Sequence, residues 1–236
     1  MLSMKFLQAL VVSMLLILLA GCSSTSNKSW AEGMRGMAQS FEKLFPYMYD
    51  SQNFSDPKNA KIIETHLCEL IKDSESLNKH IATGLSGNDP LFDIGLKGLK
   101  KNLKRAHASY YVESYAYSQG LLNNSVNYCV QCHTRTNLGP SFKVYDRFSP
   151  VTLSRIQKID LAKIQVATRQ FDKALESLLS RVNEKRLSSA DQLEAMKFAM
   201  TVALRNLTSA QKASDFLKNT QVHPKNKKYV QQWNKD

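Results

Sequence analysis

One pentapeptide constrains this chain more than any other feature, since Cys129, Val130, Gln131, Cys132 and His133 follow one another. Two cysteines three positions apart, with a histidine directly after them, form the CxxCH pattern of c-type haem attachment. The chemistry requires this spacing, because both thiols add to haem vinyl groups as thioethers and the adjacent imidazole binds the iron. The pattern therefore predicts one covalent haem c, held by Cys129 and Cys132, with His133 as the proximal ligand.

Two other kinds of cysteine site share part of this pattern. A CxxC redox pair needs no histidine and usually lies beside a βαβ unit. A structural zinc site needs two further ligands, and the sequence holds no second CxxC and no HxxxH to supply them. The histidine directly after Cys132 therefore favours haem over both alternatives.

The N-terminus is typical of a secreted chain. Residues 1–21 contain one lysine, Lys5, followed by an almost unbroken apolar run over residues 6–20. A charged start followed by an apolar run shorter than a membrane span is typical of a signal peptide. We therefore expect export, with residues 1–21 removed from the mature protein.

The signal peptide ends in the letters Leu-Ala-Gly-Cys, and the cysteine is Cys22. This ending resembles the lipobox of bacterial lipoproteins, which implies cleavage before Cys22 and acylation of that cysteine. The serine at position 23 implies the outer membrane. The alternatives are an ordinary signal peptide and an uncleaved anchor. We expect a lipid-anchored protein on the periplasmic side, with residues 22–29 as a polar tether.

The chain has four cysteines, and the roles above use three of them. Cys22 is assigned to lipid, and Cys129 and Cys132 to haem, so no disulfide is expected within one chain. Cys68 lies in a helical run from Ile63 to Ile71, where a buried thiol behaves as a small hydrophobe.

Apolar residues recur at helical spacing after residue 29, and the whole chain contains only nine glycines and six prolines. This pattern predicts an all-α protein. Four apolar stripes precede Gly139-Pro140, beginning near Trp30, after Pro57, after the loop at residues 84–90, and near residues 107–109. Their members are Met34, Met37, Phe41, Leu44 and Met48; Ile63, Leu67, Leu70, Ser74, Leu77 and Ile81; Phe92, Leu96, Leu99, Leu103 and Ala106; and Tyr111, Tyr115, Ser118, Leu122, Val126, Cys129 and His133.

Four such stripes with short connections predict an up-down-up-down four-helix bundle over residues 30–140, with CxxCH at the end of the fourth helix. That combination resembles the cytochrome c-prime family and its six-coordinate, low-spin relatives over roughly residues 30–135. The resemblance implies one haem inside the bundle. It also implies a homodimer that associates through the first and second helices.

The first helix contains Met34-Arg35-Gly36-Met37, which resembles the methionine pair of that family. The resemblance implies that Met34 is the second iron ligand, with Met37 as the alternative. Family members commonly have an arginine one turn earlier, where this chain has Trp30. We therefore expect Arg35 or Arg135 to contact a haem propionate in its place.

Bundle geometry limits which other side chains can reach the iron. In four alternating helices the start of the first and the end of the fourth lie at the same end. Met48 lies about 20 Å along the helix from Met34, at 1.5 Å per residue. His66 and His107 are expected at the opposite end as well. The remaining distal candidates are Met34, Met37 and His80.

The spacing of apolar residues over 141–236 predicts a second helical region, with helices over about 153–167, 171–182, 189–205 and 209–218. The segment from Ala167 to Glu176 resembles the turn of a tetratricopeptide unit, and a plain helical hairpin packed on the bundle is an equal alternative. The last basic residues and Trp233 are expected to form a mobile tail.

The positive charge is concentrated in this second region. Residues 141–236 have 18 Lys and Arg against 9 Asp and Glu, whereas residues 22–140 have 13 against 11. The alternatives are a solvated surface, an anionic membrane face and an acidic partner. The expected compartment excludes nucleic acid as a partner.

The sequence contains no nucleophile–base motif, so we do not expect an enzyme. The favoured function is single-electron transfer to a periplasmic redox partner. One alternative is a five-coordinate haem protein that binds nitric oxide or another small gas. The other is a haem-containing docking lipoprotein that acts through its C-terminal helices.

Overall fold

The computed structural model describes residues 28–80, 89–135, 141–142 and 148–233, without the side chains of residues 78–80. The signal peptide, Cys22 and the side chains of His80 and Ile81 lie outside the described residues. Within the described ranges every regular element is helical, which confirms the all-α prediction. None of these helices is long and apolar enough to cross a lipid bilayer.

The α-helices are α1 (Trp30–Met48), α2 (Ser51–Ser55), α3 (Ala60–His80), α4 (Pro90–Tyr111), α5 (Tyr115–His133), α6 (Pro150–Arg155), α7 (Lys158–Ala167), α8 (Phe171–Val182), α9 (Ser189–Thr201), α10 (Ala210–Lys218) and α11 (Lys227–Trp233). Short 3₁₀ turns, Pro57–Asn59 and Pro224–Asn226, precede α3 and α11. A π-helical turn, Val202–Asn206, continues α9.

Helix α1 begins where the sequence predicts, because Ser29 and Glu32 form a capping box. The Ser29 hydroxyl accepts from the Glu32 amide at 3.3 Å, and the Glu32 carboxylate accepts from the Ser29 amide at 2.7 Å. This reciprocal pair satisfies two amides that the first helical turn leaves unpaired.

The four long helices α1, α3, α4 and α5 share one hydrophobic core. Helix α1 packs on α3, α3 on α4, and α4 on α5, and α1 also contacts α5. The predicted stripes of the first three helices are largely buried in this core. The fully buried side chains include Leu44, Met48, Ile63, Leu67, Leu70, Leu103 and Leu122.

One predicted boundary is wrong, because the fourth stripe was expected to begin near residue 107. Helix α4 continues to Tyr111, which is 56% exposed, and α5 begins at Tyr115. The chain reverses at Glu113, whose φ is +59°. The turn contains neither glycine nor proline, so the apolar period runs through it without interruption.

The C-terminal region differs from its prediction at two places. The expected helix over 153–167 is divided at Ile156-Gln157 into α6 and α7. The expected mobile tail is ordered, since residues 224–233 form a 3₁₀ turn and α11, with Asn226 and Val230 buried. Asn226 bonds α9 and Val230 packs against α10. The basic composition of the segment gives no sign of these two contacts.

The C-terminal region packs directly on the four long helices. Ile156 and Ile164 belong to the same buried core as those helices, and Phe45 meets Phe148 edge-on at 5.1 Å. Arg155 pairs with Asp50 across the junction. This packing answers a question that the sequence left open, because no local pattern shows which surface an amphipathic helix covers.

Cys68 lies on α3 and is disulfide-bonded. The expectation of a chain without disulfides is therefore wrong. The Cys68 sulfur also lies 3.5 Å from Nε2 of His107.

Candidate functional site

A narrow apolar cleft lies where the N-terminal part of α1 meets the C-terminal end of α5. Its volume is about 760 Å³ including its open mouth. Its lining contains Cys129, Cys132 and His133 from α5 and Met34 and Met37 from α1. The sequence separates these two groups by more than ninety positions. The structure therefore brings the predicted attachment residues and both distal methionines into one cavity.

The rest of the lining is almost wholly apolar. Trp30 and Phe92 both line it, and their rings are tilted against each other with centroids 6.3 Å apart. Three residues of the lining, Phe142, Ala167 and Thr168, come from beyond the four long helices. The remaining members are Ala38, Phe41, Phe45, Leu77, Gly95, Leu96, Leu99, Val126 and Tyr128.

Both cysteines of the pentapeptide are free thiols. Burial raises the pKa of Cys129 to about 12, and burial raises the pKa of Cys132 to about 11. A redox-active CxxC pair depends on the opposite effect, a thiol pKa lowered towards neutrality. The environment of these thiols therefore disfavours a disulfide oxidoreductase.

His133 ends α5 and is half-buried. Burial, followed by the charge of Arg169, lowers the pKa of His133 to about 4, against an opposing effect of the backbone carbonyls of Ala167 and Val166. Its Nδ1 is buried without a hydrogen-bond partner among the described residues. The imidazole is therefore neutral at physiological pH, which is the form that binds metals.

The residues present fit the haem that the CxxCH pattern implies. Two half-buried thiols and a neutral imidazole lie at the end of one helix and line the same apolar cleft. Gly95 faces the Cys132 sulfur, and a Cβ there would lie 3.6 Å from it, so the glycine leaves room beside the attachment point. Nowhere in the described ranges do three His, Cys, Asp or Glu side chains cluster as metal ligands.

The predicted propionate partners lie outside the cleft lining. Arg35 is exposed on α1. Arg135 pairs with Asp89 at 2.8 Å, and both charges act on the pKa of Cys132, which places the pair beside the pentapeptide. Of the two, only Arg135 is close to the predicted attachment residues.

The histidines and the methionine expected at the far end are absent from the cleft lining. His66 bonds Glu69 at 2.7 Å, His107 lies beside Cys68, and Met48 is fully buried in the core. None of these three lines the cavity.

Sequence reasoning missed several residues of the site. Gly95 and Gly98 lie three positions apart on α4. This spacing could have predicted that α4 closely approaches another helix, which is α5. A Cβ at Gly98 would lie 2.5 Å from the Tyr128 ring. Phe142, Thr168 and the other C-terminal residues carry no local signal, because only the tertiary fold brings them to the cleft.

No protein-family model, no curated protein and no solved structure matches this chain.

Proposed function

We propose that this chain is a mono-haem c-type cytochrome that carries single electrons on the periplasmic side of a bacterial membrane, anchored through acylated Cys22. One observation carries the proposal. The CxxCH residues and two methionines, from opposite ends of a segment of about a hundred residues, line a single apolar cleft.

The side chains of the cleft have separate roles in this proposal. Cys129 and Cys132 would hold the haem through two thioethers, since each S–H bond can add across a vinyl group with no leaving group and no oxidant. His133 binds the iron through its neutral imidazole. The bound haem supplies a one-electron iron couple. The aromatic and aliphatic walls exclude water from that centre.

We also propose that α1, α3, α4 and α5 form an up-down-up-down bundle similar to that of the cytochrome c-prime family. Their consecutive packing and the position of CxxCH at the end of α5 support it. Met34 is our proposed second iron ligand. It is partly exposed in the cleft, whereas Met37 is 4% exposed and belongs to the core.

The exposed face of α4 supports an acidic redox partner. Five basic side chains line a shallow depression on it, and two exposed apolar residues, Leu91 and Ile94, lie one turn further towards the cleft. Phe92 and Gly95, which line the cleft, belong to the same turns of the helix. A basic surface next to the haem would attract an acidic protein over a long range and orient it. The basic residues are Lys97, Lys100, Lys101, Lys104 and Arg105.

The decisive experiment is a pyridine haemochrome spectrum of the protein produced in a periplasm that attaches haem c. We expect one c-type haem per chain, and its loss when Cys129 and Cys132 are both replaced by serine. Cys68→Ser is the matched control, and it should retain the haem. A wild-type protein without covalent haem would overturn the proposal.

The anchor is tested separately at Cys22. Cys22→Ser should release the protein from the membrane fraction into the soluble periplasm. The intact mass of the protein shows which modification Cys22 carries, because its sulfur cannot form both a thioether to lipid and a disulfide to Cys68. An unmodified Cys22 in the membrane fraction would remove the lipid anchor from the proposal and leave the haem unaffected.

A further inference from the structure

The end of α9 contacts the haem-attachment pentapeptide through an unusual turn. Residues Val202–Asn206 form a π-helical turn in which the Leu207 amide donates to the Val202 carbonyl at 3.1 Å. Such turns are rare in proteins overall, and those that occur often lie at functional sites. Val202 packs in a small buried cluster with Val166 and Ala174, and Val130 of the pentapeptide packs against this cluster.

Asn206, the last residue of the π turn, reaches His133 directly. Its Nδ2 donates to the His133 backbone carbonyl at 2.8 Å, and the residue is 8% exposed. Because a carbonyl only accepts, the amide nitrogen must face it, and this fixes the orientation of the side chain. The amide oxygen, Oδ1, therefore points away from that carbonyl.

Two buried polar atoms of this pair have no hydrogen-bond partner among the described residues: Oδ1 of Asn206 and Nδ1 of His133. Leaving a buried polar atom without a hydrogen bond is unfavourable. The two atoms are complementary. An amide oxygen only accepts, and Nδ1 carries the proton when the other ring nitrogen binds a metal.

We propose that Asn206 is a positioning residue for His133: its nitrogen holds the backbone carbonyl of that histidine, and its oxygen accepts the Nδ1 proton of the iron-bound ring. This inference rests on the proposed function, since it concerns the haem-bound state. Metal-binding histidines almost always donate their second N–H to an acceptor, which fixes the ring and raises its basicity. The C-terminal region thus belongs to the haem site.

The backbone offers a competing acceptor, because the His133 ring hydrogen-bonds the carbonyls of Ala167 and Val166. Side-chain substitution separates the two cases, since it changes Asn206 and leaves those carbonyls in place. If the ring donates to the backbone, Asn206 has only a structural role, and its replacement alters stability without altering the iron.

The test is the haem reduction potential of two variants of the full chain. An acceptor on Nδ1 makes the imidazole a stronger donor and stabilises ferric iron, which lowers the potential. Asn206→Leu removes the acceptor, and we expect the redox equilibrium to shift about threefold towards ferrous iron. Asn206→Asp removes the donor to the His133 carbonyl and offers Nδ1 a stronger acceptor of nearly the same shape. We expect about a tenfold shift towards ferric iron, or about 59 mV for one electron.

Asn226→Leu is the matched control, because Asn226 is also buried and its Nδ2 donates to the Ser189 carbonyl at 2.8 Å, away from the cleft. It should lower the melting temperature and leave the potential unchanged. The inference is overturned if both Asn206 variants keep the wild-type potential while the pyridine spectrum still shows haem c. Absence of haem c would instead overturn the proposed function. If Asn206→Leu does not fold, the near-isosteric Asn206→Asp decides alone.

Discussion

Met34 and Met37 are one helical turn apart on α1 and differ in what surrounds them. Met37 is 4% exposed and contributes to the buried core, whereas Met34 is partly exposed and packs at its edge. Both line the cleft that contains His133. A ligand has to leave the core to bind iron, so the less buried methionine needs the smaller rearrangement. This difference favours Met34 as the second iron ligand.

Met34→Ala should convert the oxidised haem from low spin to high spin, because it removes the sixth ligand. Met37→Ala should keep the low-spin spectrum. Optical spectra of the ferric protein measure both.

Met48→Ala is the control for cavity formation. It should cost about 2–5 kcal/mol of unfolding free energy and leave the spin state unchanged. A low-spin Met34→Ala with a high-spin Met37→Ala would assign the ligand to Met37. A high-spin wild-type protein would contradict electron transfer through a six-coordinate centre and favour gas binding.

At the scale of elements, the contact between α1 and α3 depends on small residues. Gly36 of α1 lies against Asp73 of α3, and a Cβ at position 36 would overlap the carboxylate. Asp73 cannot move freely, because it is 2% exposed and pairs with Lys28. The glycine therefore sets how closely α1 and α3 approach.

Gly36→Ala should lower the free energy of unfolding by about 1–3 kcal/mol, since overpacking displaces Asp73. Gly120→Ala is the matched control on α5, where nothing lies within 4 Å of the new Cβ. It should raise stability by about 0.5–1 kcal/mol through helix propensity. Urea unfolding measures both. A stabilised Gly36→Ala would show that α1 and α3 are not in close contact at this position.

Element boundaries show where sequence patterns succeed and fail. The starts at Trp30 and Phe171 follow the predicted positions, and Trp30 has a local signal, a capping box. Pro90 was predicted as the last residue of a loop, and it is instead the first residue of α4. The break around Glu113 has no such signal, so the end of α4 was predicted wrongly. Propensity alone does not locate a turn that tertiary packing imposes.

At the scale of the whole molecule, two regions share their interior. Ile156 and Ile164 are buried with the four long helices, and Val130 of α5 packs with Val166 and Val202 of the C-terminal region. Apolar surface from each region is thus removed from water by the other, which couples their stabilities. We therefore expect one cooperative unfolding transition.

The chain has two tryptophans, Trp30 and Trp233, and each reports on one region. Trp233→Phe leaves the probe beside the cleft, and Trp30→Phe leaves the probe on α11. Fluorescence-detected urea unfolding of the two variants should give coincident midpoints. Circular dichroism of the same samples controls for the substitutions themselves. Two separated midpoints would show that the regions unfold independently.

The sequence alone determined the helical class and the chemistry expected at residues 129–133. Helical periodicity follows from local geometry, and the CxxCH spacing lies within about one helical turn, so both are readable without a fold. The tertiary structure decided what surrounds them. Met34 and Met37 reach the same cleft as His133, Thr168 lines it, and Asn206 holds the carbonyl of His133. These contacts join residues more than thirty positions apart, and such contacts depend on how the helices pack, which local sequence does not encode.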